Sequence, residues 1–228
     1  AEYIEGWYGV TDYVSTSAFL DQNYYQPLRD AVCHAIKAHM APQTRRILDI
    51  GCGEGYYTSE LAKQFSERDI AVFGLDIAKV AIRYAAKRYP TVSFCVASSH
   101  RLPYADASMD AVVRIYAPCK AEELARVVAP EGILVTVSPA PRHLYQLKAQ
   151  VYDTVQLHAE NTESFEGFTL IDDQQLTYTM MLPGEQAANL LQMTPFAWRA
   201  TPDVAEALRS SIEFECETDF AIRVYRRD

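Results

Sequence analysis

Ile47-Leu48-Asp49-Ile50-Gly51-Cys52-Gly53-Glu54-Gly55 is a short apolar strand that breaks into a glycine-rich turn. Glycine adopts positive φ at no steric cost and lets the backbone approach a ligand closely. A strand, such a turn and then a helix is the usual opening of a nucleotide-type site in an α/β sheet. Downstream the pattern alternates. Strand 45–50 leads to a helix at 55–66, strand 70–76 to a helix at 78–89 stopped by Pro90, and strand 91–96 to strand 110–116. A helix at 120–129 ends at Pro130-Glu131-Gly132 and is followed by strand 133–138. This order demands a mostly parallel sheet with helices on both faces.

The flanks add to that core. Leu28, Val32, Ile36 and Met40 recur every fourth residue and predict a helix over 24–40. After the core come a helix at 142–150, strand 168–178, helices near 184–192 and 202–210, and a closing strand 212–225. Residues 1–22 form an N-terminal arm rich in aromatics, and 23–228 form the domain proper. No internal repeat or low-complexity stretch interrupts the chain.

The spacing of the turn discriminates between ligands. A dinucleotide site reads Gly-x-Gly-x-x-Gly, and here the third glycine position is Tyr56. A pyrophosphate therefore fits less well than the shorter, uncharged linkage of S-adenosylmethionine (SAM). Strand 70–76 ends in Asp76, where a carboxylate can accept both ribose hydroxyls. Beyond the third strand come Ser98, Ser99 and His100, the next loop at the carboxyl edge of the sheet. Ile115-Tyr116-Ala117-Pro118-Cys119 follows the fourth strand and faces the crevice at the carboxyl edge of the sheet.

Composition sets bounds on the partner. The chain has 228 residues, 49% hydrophobic and 22% charged, with a formal net charge of −9. That balance weighs against a phosphate-gripping surface without excluding one, since Arg83, Lys87 and Arg88 cluster on one predicted helix. No apolar run is long enough to span a bilayer, and the first residues lack the basic and apolar regions of a signal peptide. Cys33, Cys52, Cys95, Cys119 and Cys216 are scattered, with no Cys-x-x-Cys pair. Reduced thiols, a cytoplasmic setting and no metal are expected.

From Tyr25 to Tyr225 the chain closely resembles the bacterial large-subunit ribosomal RNA guanine-N1 methyltransferases. The likeness is carried by Tyr25-Gln-Pro-Leu-Arg-Asp30, Leu48 to Tyr57, Phe94 to Pro103, Arg114 to Val128, and Leu191-Gln-Met-Thr-Pro-Phe-Ala-Trp-Arg199. It implies a class I SAM-dependent methyltransferase (Rossmann-like) fold with a seven-stranded sheet. It also implies Asp49, Gly51, Gly53 and Asp76 as cofactor residues, with Ser98 to His100 near the adenine. That family carries a four-ligand zinc module ahead of the SAM domain. The segment before Tyr25 holds no cysteine or histidine and cannot form one.

Either that module was cut away or the chain never had one; Tyr3, Trp7, Tyr8 and Tyr13, close together in this segment, favour the second. Aromatic faces stabilise a desolvated cation such as a sulfonium by roughly 0.5–2 kcal/mol each. A cap of this kind, on an acidic chain, points to a small-molecule substrate or to SAM alone. The leading expectation is therefore cyclisation of SAM to azetidine-2-carboxylate with release of methylthioadenosine, a chemistry known on methyltransferase-like folds that the capped, zinc-free core resembles more loosely. Guanine-N1 methylation of 23S rRNA is the alternative, with another N-methylation or a non-catalytic SAM-binding module behind it. Tyr116, His143 and Tyr8 are the candidate catalytic groups. His143 is equally open to a packing role, and Thr194 to Arg199 to either a site wall or a packed turn. Tyr152 and Tyr178 read as core or surface aromatics, with a cation–π role the sharper alternative.

Overall fold

The computed structural model describes residues 13–228, with side chains from residue 16 onward. Helices α1 (Tyr13–Asp21) and α2 (Gln26–His39) lead into β1 (Arg46–Ile50), α3 (Tyr56–Gln64), β2 (Ala71–Asp76), α4 (Lys79–Arg88) and β3 (Ser93–Val96). Next come β4 (Met109–Ile115), α5 (Ala121–Val127), β5 (Val128–Pro139) and α6 (Tyr145–Ala149). The chain finishes with β6 (Phe168–Leu182), α7 (Gly184–Met193), α8 (Pro202–Arg209) and β7 (Phe214–Arg227).

The seven strands form one sheet in the order β3-β2-β1-β4-β5-β7-β6. The pairs β1–β2, β1–β4, β2–β3 and β4–β5 are parallel. At the far edge Asp173 contacts Arg223 while Tyr178 bonds Thr218, so numbers rise on β6 as they fall on β7. That pair is antiparallel, and the sheet is mixed. Central strands covered on both faces read as continuous apolar runs. Accordingly Ala111, Val112 and Val113 of β4 and Ile133, Leu134 and Val135 of β5 are all inaccessible to solvent.

Two local expectations are corrected. Pro130-Glu131-Gly132 is not a turn before a new strand, because β5 already begins at Val128. Met109 pairs with Val128 and Ala111 with Ile133, so the four residues 129–132, opposite Asp110 alone, bulge out of a strand whose pairing continues on either side. Glu131 takes the left-handed conformation there, at φ 66°. The helix expected at 142–150 is also shorter, because Leu144 is left-handed at φ 56° and α6 starts only at Tyr145. His143 therefore sits in a turn.

The chain packs as two compact units. One holds residues 27–138, 162–174 and 221–228; the other holds 13–26, 139–161 and 175–220. In the first, Leu48, Ile50, Leu75, Val112, Leu124, Leu134, Phe165 and Tyr225 belong to one buried cluster. In the second, α1 packs on α7 and α7 on α8. Its core is aromatic. Phe19 stacks on Tyr24 at 5.3 Å and meets Tyr25 edge-on at 5.2 Å, and Tyr25 meets Phe220 at 5.5 Å. Tyr178 joins them, donating its hydroxyl to the Tyr24 carbonyl at 2.6 Å. The sequence boundary at residue 22 thus falls inside a segment that runs to Gln26 and packs with distant parts of the chain.

Leu48 is fully buried in the sheet core, whereas Ile212 is 96% exposed. Leu48→Ala is expected to cost about 2–5 kcal/mol, the range for a buried leucine that leaves a cavity. Ile212→Ala should change stability little. Urea denaturation of the two variants checks the contrast, and comparable losses would contradict the described core.

Candidate cofactor site

Past Ile50 the chain must reverse into α3 within five residues. It does so through Gly51, Gly53 and Gly55 at φ 71°, 55° and 90°. This left-handed region costs an ordinary L-residue roughly 1–2 kcal/mol. The amides of Gly51 and Cys52 both donate to the Leu75 carbonyl, at 2.8 and 3.0 Å, tying the turn to the end of β2. A Cβ on Gly51 would lie 2.5 Å from the Ala117 Cβ. The turns after β1 and β4 therefore touch at a point with no room for a side chain.

Asp76 does more than the sequence suggests. Its Oδ2 accepts the Gly53 amide at 2.9 Å and its Oδ1 accepts the Ala78 amide at 2.8 Å. One buried carboxylate thus braces the glycine turn and the entry to α4 together. Beside it, Ile77 is 57% exposed and Val96, the register partner of Asp76, is 46% exposed. Two bare apolar side chains flanking a carboxylate suit a nucleoside, whose base has flat apolar faces and whose sugar carries hydroxyls. This arrangement fits SAM.

The loop after β3 is fastened from several sides. Ala97 donates its amide to the Asp76 carbonyl at 3.1 Å, and the Ser98 hydroxyl accepts the His100 amide at 3.1 Å. The Ser99 carbonyl accepts the Cys119 thiol at 3.3 Å. Arg126 then grips the following segment. It donates to the Leu102 and Tyr104 carbonyls at 2.9 and 2.7 Å and to Glu123 at 2.5 Å. The loop carrying Ser98, Ser99 and His100 is thereby anchored through Ala97 to the end of β2, and His100 is exposed. Cys119 is half-buried, and burial pushes its thiol up to about 12, so it stays protonated at neutral pH.

Asp49 is buried in β1 and accepts the Thr58 hydroxyl at 2.8 Å. Burial pushes its carboxyl up to about 7; the Thr58 bond opposes this and the nearby Asp76 charge reinforces it. Tyr116 stands just beyond β4, half-buried and left-handed at φ 58°, its amide bonded to the Val137 carbonyl at 3.2 Å. A non-glycine residue held there is strained, and such strain clusters at functional sites.

His143 lies in the other unit. Its ring is buried 4.6 Å from Phe220, and Nδ1 accepts the Asp219 amide at 3.0 Å. Burial, then the neighbouring His158 and Lys148, push it down to about 3, so it is neutral at physiological pH. Thr194 to Arg199 form a turn in that same unit, with Thr194 and Phe196 buried and Trp198 and Arg199 exposed. Tyr8 lies outside the described residues. Among the described residues no group of three or more His, Cys, Asp or Glu is placed to hold a metal, and no helix is long and apolar enough to cross a membrane.

Residues 43–187 match the family model described as a methyltransferase domain, which covers more than half of the chain. The chain belongs to the SAM-dependent methyltransferase family. It is 28% identical over 200 residues to the 23S rRNA (guanine(748)-N(1))-methyltransferase of Streptomyces fradiae, spanning 85% of this chain and 71% of that one. It is also 28% identical over 225 residues to YxjB of Bacillus subtilis, named provisionally for guanine-N1 methylation of 23S rRNA, spanning 95% and 80%. Among solved structures, YcgJ of Bacillus subtilis shares the fold at a TM-score of 0.52 with 20% identity, covering 85% of this chain and 97% of that one. Geranyl diphosphate methyltransferase in complex with SAM does so at 0.52 and 13%, covering 87% and 85%.

Thr58, Ile77, Val96 and Arg126 were not singled out from sequence. Ile77 had a local signal, an apolar residue directly after the strand-ending Asp76. Thr58 and Arg126 had none, because their partners are set by tertiary packing.

Asp76→Ala removes the acceptor of two backbone amides, and bonds to a charged group contribute about 1.5–3 kcal/mol each. It is expected to lower stability by several kcal/mol as well as to weaken SAM binding. A variant that melts like the parent and titrates SAM with unchanged affinity would remove Asp76 from both roles.

A raised carboxyl also makes stability depend on pH. Below about pH 4, the ordinary Asp range, folded and unfolded chains both hold the proton. Between there and about 7 the folded chain keeps a proton that the unfolded chain has released, so the Asp49 contribution falls as pH rises. Above that window the penalty is full and constant. Asp49→Asn keeps an acceptor for Thr58 but does not titrate. Its melting temperature should therefore gain on the parent's from about pH 4 to pH 7, and parallel melting curves would refute the buried-carboxyl account.

Proposed function

We propose that this chain transfers the methyl group of SAM to N1 of a guanine in 23S ribosomal RNA. The observation that carries this reading is the set of relatives named for that reaction, which align with 85–95% of the chain. They favour guanine methylation over the cyclisation that the sequence placed first. Cyclisation rested on an aromatic cap including Trp7 and Tyr8, which lie outside the described residues. A local feature supports an RNA substrate: α4 presents Lys79, Arg83, Lys87 and Arg88 to solvent and contains no acidic residue.

SAM supplies a methyl group on a positively charged sulfur. Guanine N1 carries a proton at neutral pH, so that proton must pass to solvent water before or as the nitrogen lone pair forms the N–CH3 bond. The C–S bond breaks with its electrons staying on sulfur, giving S-adenosylhomocysteine and N1-methylguanine. In this reading Asp76 holds the ribose, and Ser98 to His100 border the adenine. Asp49 and the left-handed glycines shape the turn against which the methionyl part lies. Tyr116, at the carboxyl edge of β4 where open sheets bind ligands, donates its phenol to the guanine O6. Such a bond strengthens as N1 loses its proton and negative charge spreads onto O6. His143, neutral and bonded to the 219 amide, acts as a positioning residue for its own unit.

The test is incubation of the protein with SAM and a 23S rRNA transcript. S-Adenosylhomocysteine should appear only with RNA, together with a reverse-transcription stop at one guanine. Methylthioadenosine released in the absence of RNA would overturn the reading in favour of cyclisation. Tyr116→Phe should lower kcat on the order of 100-fold, the loss seen when one donor to a developing oxyanion is deleted, with SAM affinity retained. An unchanged kcat would exclude the phenol.

A further inference from the structure

Trp198 is 71% exposed, far more than a side chain of its size needs to be. It sits on a 3-10 turn, Ala197–Arg199, between α7 and α8. The Arg199 guanidinium lies 4.7 Å from the Trp198 ring centre and 5.5 Å from that of Tyr152. Tyr152 in turn lies 5.9 Å from the buried Phe196. Trp198, Arg199, Tyr152 and Phe196 therefore form a ladder of flat groups running from the interior of their unit to its surface. The turn beneath it is anchored. Thr194 is buried and donates its hydroxyl to the Leu191 carbonyl at 2.7 Å, the Arg199 amide donates to the Phe196 carbonyl at 3.0 Å, and the Ala200 amide to the Ala197 carbonyl at 3.0 Å.

We infer that Trp198, with Arg199 stacked beside it, is a platform on which an unpaired base of the RNA substrate stacks. This rests on the RNA reading above and deepens it by naming the single-stranded part of the substrate as what the platform takes. Three features favour a nucleobase over a peptide or lipid. A planar aromatic and a planar guanidinium are the two side-chain types that stack on unpaired bases. The guanidinium adds a fixed positive charge for the adjoining phosphate. The anchored turn beneath the indole also limits the backbone freedom lost when a second flat group covers it, so the contact is in part preorganised. Every base has a π-face, so the platform supplies affinity for unpaired strand rather than sequence choice.

The test is fluorescence anisotropy with a labelled RNA hairpin whose loop is unpaired, compared with a blunt duplex of the same length, on the full chain. Trp198→Ala should weaken hairpin binding roughly 10- to 100-fold, the loss of one stacked base, and duplex binding much less. Trp198→Phe should recover most of the affinity. Arg199→Lys keeps the charge but not the plane, so it should lose affinity while the slope of log K against log salt stays unchanged. SAM affinity, measured alongside, should match the parent in all three, since Trp198 and Arg199 are surface residues. Equal hairpin affinity for Trp198→Ala and parent overturns the platform while leaving the rRNA reading standing if 23S rRNA is still methylated. Equal weakening for hairpin and duplex, or a parallel loss of SAM affinity, also overturns it. A parent that binds SAM but neither RNA sinks the platform and the rRNA reading together.

Discussion

The site depends on one buried carboxylate. A turn built from left-handed glycines exposes amides that no helix or strand can satisfy, and a buried amide without an acceptor costs roughly 1–3 kcal/mol. Asp76 meets this demand at Gly53 and then at Ala78, so one side chain fixes where β1 ends and where α4 begins. The geometry propagates through Phe94. Added Cβ atoms on Gly74 and on Gly55 would lie 2.7 and 3.2 Å from its ring, so the ring fills space that two absent side chains leave open. The strand spacing at β2–β3 and the position of the turn are thereby coupled. A larger residue at either glycine would push Phe94 and move the carboxylate relative to the amides it holds.

Two buried carboxylates close together would be costly if both were charged and unassisted. The structure treats them differently. Asp76 receives two backbone amides. Asp49 receives one hydroxyl and is pushed upward, in part by Asp76 itself. A cation approaching this region would favour ionised Asp49 and relieve the repulsion.

The parallel core was legible because its signals are local: apolar runs of strand length, glycines at the first turn, and an acid ending the second strand. The same holds for the cofactor half of the site. What was not legible depends on distant partners. Pro130-Glu131-Gly132 carries the composition of a turn, and only its pairing with β4 makes it a bulge. His143 looked free to face a crevice, yet Phe220 and the Asp219 amide, more than seventy residues on, enclose it. Tyr152 does take part in a cation–π contact, but the cation is Arg199, brought to it by the turn at 197–199. None of these partners shows a period or a spacing along the chain.

Net charge bears on the RNA reading through its distribution and not through its total. A total of −9 describes the field far from the molecule, but at physiological salt charges are screened within about 8 Å. A phosphate at the surface responds to the charges within that distance and not to the sum. α4 spans nearly three turns with four cations and no acid of its own, and Arg83 and Lys87 lie one turn apart on its exposed side. Acidic residues elsewhere act on the encounter, slowing the approach of a polyanion and disfavouring binding away from the basic helix. An acidic chain with a confined basic face should therefore bind RNA weakly in general and favourably only where the substrate's shape brings phosphate to that face while a base reaches the turn of β1. On that account acidity is a source of selectivity, and it carries no weight against an RNA substrate.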